Sequence, residues 1–190
     1  MRKLTYYVAC TADRFIARAD GSFDCFPTEG EHIAGLIESF PETIPGHLRG
    51  VLGVRAANMH FDAVLMGRRT YEVGLAVGVT SPYPHLKQYL FSRTIKESPD
   101  AKVELVSGDA VAWVRQLKEA DGKGIWLCGG GDLATALFPE IDELILKVNP
   151  LVLGAGIPLF AGAVKQTGLE LIGHKIYGNG FLLLHYRVER

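Results

Sequence analysis

The sequence has almost no excess charge and few cysteines. Its 20 Lys and Arg residues nearly balance its 21 Asp and Glu residues, for a formal net charge of -1, and no run of five like charges occurs. A nucleic-acid or membrane surface is therefore not expected. The three cysteines, Cys10, Cys25 and Cys128, are widely separated and form no C-x-x-C pair. This spacing favours reduced thiols in a cytoplasmic protein over a disulfide framework or a structural zinc site.

Long apolar runs are also missing, and no export signal is expected. Asp13 and Arg14 interrupt the first apolar stretch, and no stretch approaches the roughly 18 apolar residues that suggest a spanning helix. The six histidines are scattered without H-x-x-x-H spacing, so no metal is predicted. What remains is ordinary globular composition, with 48% hydrophobic residues in 190 positions. This predicts one domain over residues 1–190 with a substantial core.

Short apolar runs alternate with helical patterns along most of the chain. Strands are predicted at 4–10, 15–17, 63–67, 88–93, 103–106 and 125–128. Helices are predicted at 28–40, after residue 67, at 109–118 and at 133–138, and a further amphipathic segment at 47–59. Residues 143–186 have the pattern of three or four strands joined by glycine turns. The order predicts an α/β fold whose mostly parallel sheet is completed by antiparallel C-terminal strands.

A glycine turn between a buried strand and a helix is the strongest local signal. It comprises Gly129, Gly130, Gly131, Asp132 and Leu133. Glycines let the backbone approach a ligand closely, and free amides at a helix start favour a phosphate. The turn lacks the G-x-G-x-x-G spacing, and a glycine turn alone is often structural. It therefore needs support from elsewhere in the chain.

The ends of two further predicted strands supply that support. The strand at 63–67 ends in Gly67, and the helix after it begins with Arg68, Arg69 and Thr70. Arginines at a helix start are disfavoured by the helix dipole unless an anion offsets them, although either could instead pair with Glu72 or Asp62 at the surface.

The other strand end carries Ser92, Arg93 and Thr94. Ligands bind at the carboxyl edge of open α/β sheets, so three such strand ends predict an elongated anionic cofactor. An arginine near the adenosine end favours the 2′-phosphorylated dinucleotide.

Several segments together resemble a known family. Residues 9–17, 66–72, 91–94, 129–133 and 142–160 are similar to the dihydrofolate reductase-like superfamily. Within it, the chain most resembles the reductase domain of the bifunctional riboflavin-biosynthesis deaminase-reductase, over nearly its whole length. The resemblance implies an NADPH-dependent reductase built on a sheet of about eight strands. Its expected substrate is a pyrimidine or pterin-like ring, specifically 5-amino-6-(5-phosphoribosylamino)uracil.

The resemblance also implies roles for individual residues. Ala9 and Ile16 are expected to face the nicotinamide. The phosphates are expected to contact Gly67, Arg68, Arg69 and Thr70. The adenosine 2′-phosphate is expected to contact Ser92, Arg93 and Thr94, and the pyrophosphate is expected to contact the turn from Gly129 to Leu133.

Two departures from the family pattern concern the substrate side. Riboflavin reductases usually carry Asp-Gly after the first strand, whereas Asp13 is followed here by Arg14. Folate reductases place a carboxylate on the helix before the Met-Gly-Arg strand, and residues 48–58 contain none. Folate reduction is therefore disfavoured. Asp13 is the candidate proton donor or substrate anchor, and Glu31 or Glu38 could serve only if residues 28–45 fold over the site.

Three hypotheses remain open from the sequence. The first is hydride transfer from NADPH to a heterocycle. The second is a module that binds the nucleotide without turnover, and the third is thiol redox chemistry through Cys128. The apolar, alternating pattern of residues 144–190 further predicts a homodimer sealed by the late strands.

Overall fold

An eight-stranded sheet lies at the centre of the protein, described for residues 1–190 by a computed structural model. Its strands are β1 (Leu4–Thr11), β3 (Phe61–Gly67), β4 (Lys87–Phe91), β5 (Val103–Val106), β6 (Gly124–Gly129), β7 (Glu143–Asn149), β9 (Leu169–Ile176) and β10 (Leu182–Val188). A separate small sheet pairs β2 (Phe15–Ala17) with β8 (Ile157–Pro158).

The order across the large sheet is β5-β4-β3-β6-β1-β7-β10-β9. The strands from β5 to β7 run parallel, and β10 runs antiparallel to both of its neighbours. This confirms the predicted fold, a mostly parallel mixed sheet with an antiparallel C-terminal part. The carboxyl ends of six parallel strands therefore meet at one edge, where functional groups of distant segments can combine.

The protein has five α-helices: α1 (Glu31–Ser39), α2 (Gly46–Arg49), α3 (Arg68–Ala76), α4 (Ala110–Glu119) and α5 (Gly131–Ala136). The amphipathic segment predicted at 47–59 is reduced to the single turn of α2. Gly53 with a φ of 65° interrupts it, and Val51 is 85% exposed, so its apolar residues find no surface to bury against. No helix combines the length and apolar character required to cross a bilayer.

The sheet is buried on both faces. One face packs against α4 and α5 and includes Tyr6, Leu65 and Leu127. The opposite face, called the α3 face, includes Tyr7 and Trp126 and packs against α3 and Phe40. Burial on both faces explains why the central strands are continuous apolar runs in the sequence.

Candidate active site

The carboxyl ends of β4, β3 and β6 lie side by side. The strand register places Gly67 beside Phe91 of β4, and Met66 beside Gly129 of β6. Ser92, Arg68 and Gly130 each follow one of these strand ends. The structure thus brings the three predicted phosphate-compatible segments together along one edge of the sheet.

Glycines rather than side chains lie where β3 and β6 end beside each other. A Cβ built on Gly67 would lie 3.5 Å from the Gly129 carbonyl oxygen and 3.6 Å from the Gly130 nitrogen. A Cβ on Gly130 would lie 3.7 Å from Thr70 Oγ1 and 3.9 Å from Ile16 Cδ1. These are ordinary contact distances, so a methyl group would fit at Gly67 and at Gly130 without a clash. We call Gly67, Gly129 and Gly130 the glycine cradle, because it leaves backbone open to a ligand.

The helix that starts at the cradle leaves its first amides uncapped. Gly67, the N-cap of the nine-residue α3, offers no side-chain hydrogen bond. By contrast, the Asp109 carboxylate caps α4 by accepting hydrogen bonds from the amides of Val111 and Ala112. The first amides of an α-helix have no partner within the helix, and they bind anions well. The start of α3 therefore fits a phosphate group.

The arginines around the cradle differ in their availability. Arg68 donates to Glu72 at 2.8 Å, and both side chains are 44% exposed, so the surface-pair alternative describes this residue. Asp62 is engaged by Arg2 instead. Arg69 and Arg93 are exposed and take part in no ion pair or side-chain hydrogen bond. Two guanidinium groups thus remain free to bind an anion at this edge.

The hydroxyl of Ser92 shapes the turn after β4. The side chain is buried, and its Oγ accepts hydrogen bonds from the amides of Thr94 at 3.2 Å and Ile95 at 3.0 Å. Arg93 and Thr94 are exposed on this turn. Ser92 therefore positions the turn, which leaves Arg93 and Thr94 as the groups able to meet a ligand.

Only part of the predicted glycine turn lies in the cradle. A Cβ on Gly131 would lie 2.5 Å from the Pro158 carbonyl oxygen, so this glycine permits close packing of the β8 loop rather than ligand binding. Asp132 is exposed in the first turn of α5, where its carboxylate repels a phosphate. The Cβ of Leu133 lies 3.7 Å from the Cβ position of Gly67 and forms an apolar wall. Neither Gly131 nor Asp132 belongs to the cradle.

Four partly buried residues on the α3 face of the sheet lie next to the cradle. Cys128, Ala9, Lys147 and Leu183 are only partly buried and lie on the adjacent strands β6, β1, β7 and β10. The register pairs Lys147 with Ala9 on one side and with Leu183 on the other. We call these four residues the sheet recess. Cys128 directly precedes Gly129, so the recess and the cradle are continuous.

Lys147 is the charged group of the sheet recess. Its Nζ lies 4.2 Å from the centre of the Tyr7 ring, and no hydrogen bond or ion pair reaches it. Burial lowers the pKa of Lys147 to about 8, with a small opposing effect of the Cys128 and Cys10 thiols. A side chain that is densely surrounded and still partly accessible lies at the floor of a recess. Sequence reasoning missed Lys147, although a lone lysine within an apolar strand is a usable signal.

Comparison with known proteins identifies the family. The RibD C-terminal domain model matches residues 2–183. This chain belongs to the RibD C-terminal domain family. YwjB of Bacillus subtilis (strain 168) is 34% identical over 188 residues, which is 97% of each protein. YyaP of the same organism is 33% identical over 102 residues, which cover 53% of this chain and 54% of YyaP.

Solved structures confirm the dihydrofolate reductase-like fold of this RibD C-terminal domain. A Shewanella sp. PV-4 protein described as a riboflavin biosynthesis protein matches with a TM-score of 0.73 and 23% identity, over 100% of both chains. A diaminohydroxyphosphoribosylaminopyrimidine deaminase/5-amino-6-(5-phosphoribosylamino)uracil reductase of Thermotoga maritima matches with a TM-score of 0.65 and 15% identity. That match covers 99% of this chain and 57% of the Thermotoga chain.

Asp13 of this RibD C-terminal domain fastens two loops together. Its carboxylate accepts hydrogen bonds from Thr11 Oγ1 at 2.5 Å, the Gly154 amide at 2.8 Å and the Leu153 amide at 3.2 Å. These bonds lower the pKa of Asp13, with the Thr11 hydroxyl as the largest cause. A carboxylate that stays ionised and only accepts hydrogen bonds does not donate a proton. The structure argues against Asp13 as proton donor and gives it the role of holding the loop that carries Ile16.

The carboxylates of α1 do not reach the sheet recess either. Glu31 accepts a hydrogen bond from the Gly178 amide, and Glu38 is exposed. The buried His32 ring stacks on Phe181 with 4.4 Å between ring centres. In this structure α1 is docked on the turn between β9 and β10, so its glutamates supply no acid to the site.

Cys128 is poorly suited to thiol redox chemistry. Burial raises its pKa to about 11, which keeps the sulfur protonated at neutral pH. The thiolate is the reactive form of cysteine. The redox hypothesis therefore loses support.

Replacing Lys147 by Met should stabilise this protein. The unfolded lysine titrates near 10.5 and the folded one near 8, so the folded state binds this proton more weakly. The loss of folding stability caused by the buried ammonium is complete below pH 8 and becomes smaller as the pH rises from 8 to 10.5. We expect Lys147→Met to raise the free energy of unfolding at pH 7 by about 2 kcal/mol, allowing for partial exposure.

Urea denaturation at pH 7 and at about pH 10 measures this effect. Lys175→Met is the matched control, because Lys175 also lies over an aromatic ring, Tyr177 at 4.9 Å, but is exposed. The control should change little at either pH. A loss of stability in Lys147→Met at pH 7 would contradict the expectation.

Proposed function

We propose that this protein is an NADPH-dependent reductase that transfers hydride to a pyrimidine or pterin-like heterocycle. The observation that carries the proposal is the edge formed by β4, β3 and β6. There the uncapped start of α3, the glycine cradle and the free guanidinium groups of Arg69 and Arg93 lie on adjacent strand ends. This arrangement suits a long ligand with several phosphates.

The proposed cofactor contacts divide along the edge. The cradle and the α3 amides hold the pyrophosphate, with Arg69 and Thr70 beside it. Arg93 and Thr94 hold the adenosine 2′-phosphate, and Ala9 and Ile16 contact the nicotinamide. When bound, the reduced nicotinamide supplies the hydride. The protein binds and orients the two reactants and shields them from water.

For the acceptor, we propose 5-amino-6-(5-phosphoribosylamino)uracil. Membership of the RibD C-terminal domain family supports a reaction of riboflavin biosynthesis. The Thermotoga maritima relative is named as a reductase of this compound. The absence of Asp and Glu from residues 48–58 argues against a folate-type substrate, for which the family resemblance implies a carboxylate in that segment.

A direct titration with NADPH, followed by the oxidation of NADPH with aminouracils, pterins and quinones, tests the proposal. We expect saturable binding of NADPH, weaker binding of NADH, and turnover with the aminouracil. No binding of either dinucleotide would overturn the proposal.

A second candidate function is a module that binds NADPH without turnover. The tied or exposed positions of Asp13, Glu31 and Glu38 favour it, because none of them supplies an acid to the sheet recess. The same experiment separates the two functions. Tight NADPH binding with no oxidation by any acceptor supports the module.

We also propose that two copies associate through β9. This strand lies at the end of the sheet, and Leu169, Leu171 and Ile176 are 42%, 50% and 68% exposed on it. Edge strands with apolar side chains favour pairing with another chain. Sedimentation should show a dimer at micromolar concentration, and Leu171→Lys should shift it to the monomer. A monomeric wild-type protein would contradict this proposal.

A further inference from the structure

The sheet recess has an electrostatic property that the proposed function does not use. Lys147 is the charged side chain on its floor, and Leu183 faces it from β10 with an apolar group. The titratable groups that influence the ammonium from β1 and β6 are Tyr7 and Cys128 on the same face and Cys10 on the opposite face of the sheet. Burial raises the pKa of each of these groups, so all are neutral at pH 7. No ion pair joins the ammonium to a carboxylate of the protein.

Behind this first layer lie Tyr83, Tyr177 and the buried Glu42, and the Glu42 carboxylate is close enough to Tyr7 to influence the pKa of that residue. Tyr83 lies against Cys128, and complete burial raises its pKa well above the usual range. No carboxylate contributes to the environment of Lys147. A cation held in a recess without an acceptor is costly, because its lost hydration is not replaced. A ligand with an electron-rich atom would supply the interaction that the ammonium loses with water.

The position of the ammonium fits the hydride acceptor rather than the cofactor phosphates. Lys147 is paired across the sheet with Ala9 on β1, the residue assigned above to the nicotinamide. The glycine cradle begins after Cys128, at the other side of the recess. A planar ring placed on the recess floor would thus contact Lys147 at one end and the nicotinamide position at the other.

We propose that Lys147 is the specificity-determining residue for the acceptor, binding a ring carbonyl oxygen and thereby selecting oxo-pyrimidines over amino-pyrimidines. This inference rests on the proposed function, since it assumes that the acceptor occupies the sheet recess. A lysine ammonium in the site would select the opposite kind of ring from the one that a carboxylate selects. A carboxylate binds ring amino groups and protonated ring nitrogens, whereas an ammonium donates to oxygen and repels a protonated ring.

Isothermal titration with uracil and 2,4-diaminopyrimidine tests the inference, with and without saturating NADP⁺. The two rings have the same size but carry oxygens or amino groups at the same positions. The wild-type protein should prefer uracil by about 10- to 100-fold, the range expected for a hydrogen bond to a charged group. Lys147→Met should abolish the preference, and Lys147→Glu should reverse it. Equal preference in wild type and Lys147→Met would overturn the inference.

The pH dependence of the wild-type protein provides a second readout that needs no loss-of-function variant. Uracil affinity should fall about tenfold between pH 7 and about pH 9, as the Lys147 ammonium loses its proton. Lys147→Arg keeps its charge and should show a constant affinity, which also corrects for ionisation of uracil itself. A wild-type affinity that does not change with pH would overturn the inference.

The NADPH titration separates failure of this inference from failure of the proposed function. NADPH binding without a uracil preference overturns the role of Lys147 alone. Absence of NADPH binding overturns the reductase, while the titrations without NADP⁺ still test Lys147. Failure of both rings to bind the wild-type protein overturns the inference.

Discussion

Gly67→Ala should weaken NADPH binding by about 10- to 100-fold while leaving the fold intact. The added methyl group would lie 3.5 Å from the nearest protein atom, the Gly129 carbonyl oxygen, so it causes no clash. Gly67 has a φ of -74°, which alanine adopts readily. The methyl group would instead occupy the cradle and hold the phosphate away from the α3 amides. Loss of one or two hydrogen bonds to a charged group accounts for the expected change.

Fluorescence titration measures the expected change in NADPH affinity, and thermal unfolding shows whether the fold stays intact. The unfolding temperature should fall by no more than about 4 °C, the shift that corresponds to about 1 kcal/mol in a protein of this size. Gly50→Ala is the control, since a Cβ there meets nothing within 4 Å and Gly50 ends α2, outside the glycine cradle. Unchanged NADPH affinity in Gly67→Ala would remove the cradle from the cofactor site.

Arg93→Ala should abolish the preference for NADPH over NADH. The Arg93 guanidinium is exposed beside β4 and has no ionic partner, so it is available to a 2′-phosphate that NADH lacks. A charge-assisted, bidentate contact contributes about 1.5–3 kcal/mol. We therefore expect NADPH affinity to fall about 10- to 100-fold and NADH affinity to stay unchanged.

Parallel titrations with the two dinucleotides at low and moderate salt check this expectation. Arg55→Ala removes the same charge from the exposed segment before β3, at the opposite edge of the sheet, and should affect neither dinucleotide. An equal loss of NADPH and NADH affinity in Arg93→Ala would mean that the residue acts elsewhere on the cofactor.

The order of strands and helices was predictable because the central strands are buried on both faces. Residues 63–67 and 125–128 are continuous apolar runs bounded by glycine and polar residues, and this pattern has few alternatives. The segment at 47–59 was mispredicted. Its apolar spacing suits a helix, but no neighbouring element covers it, and Val51 and Met59 remain exposed. Periodicity alone does not show whether a partner surface exists.

The candidate site was only half predictable for a related reason. The cofactor side depends on backbone and on strand ends, and glycines and arginines after short apolar runs indicate it. The roles of Ser92, Gly131 and Asp13 depend on which amide or carbonyl lies opposite, and residues far along the chain, such as Pro158 and Gly154, decide that. Lys147 acquires its properties from Ala9 and Leu183, its neighbours on other strands. The sequence around each of these residues shows neither its contacts with distant loops nor its neighbours on other strands.

The division of the sheet edge also bears on how this protein could be altered. The proposed cofactor contacts come from β3, β4 and β6, whereas the proposed acceptor side depends on β7 and β10, and β1 is shared between them. Substitutions at Lys147 or Leu183 should therefore change which molecule is reduced without changing the demand for NADPH. Redesign of the enzyme for a new acceptor can concentrate on these two strands.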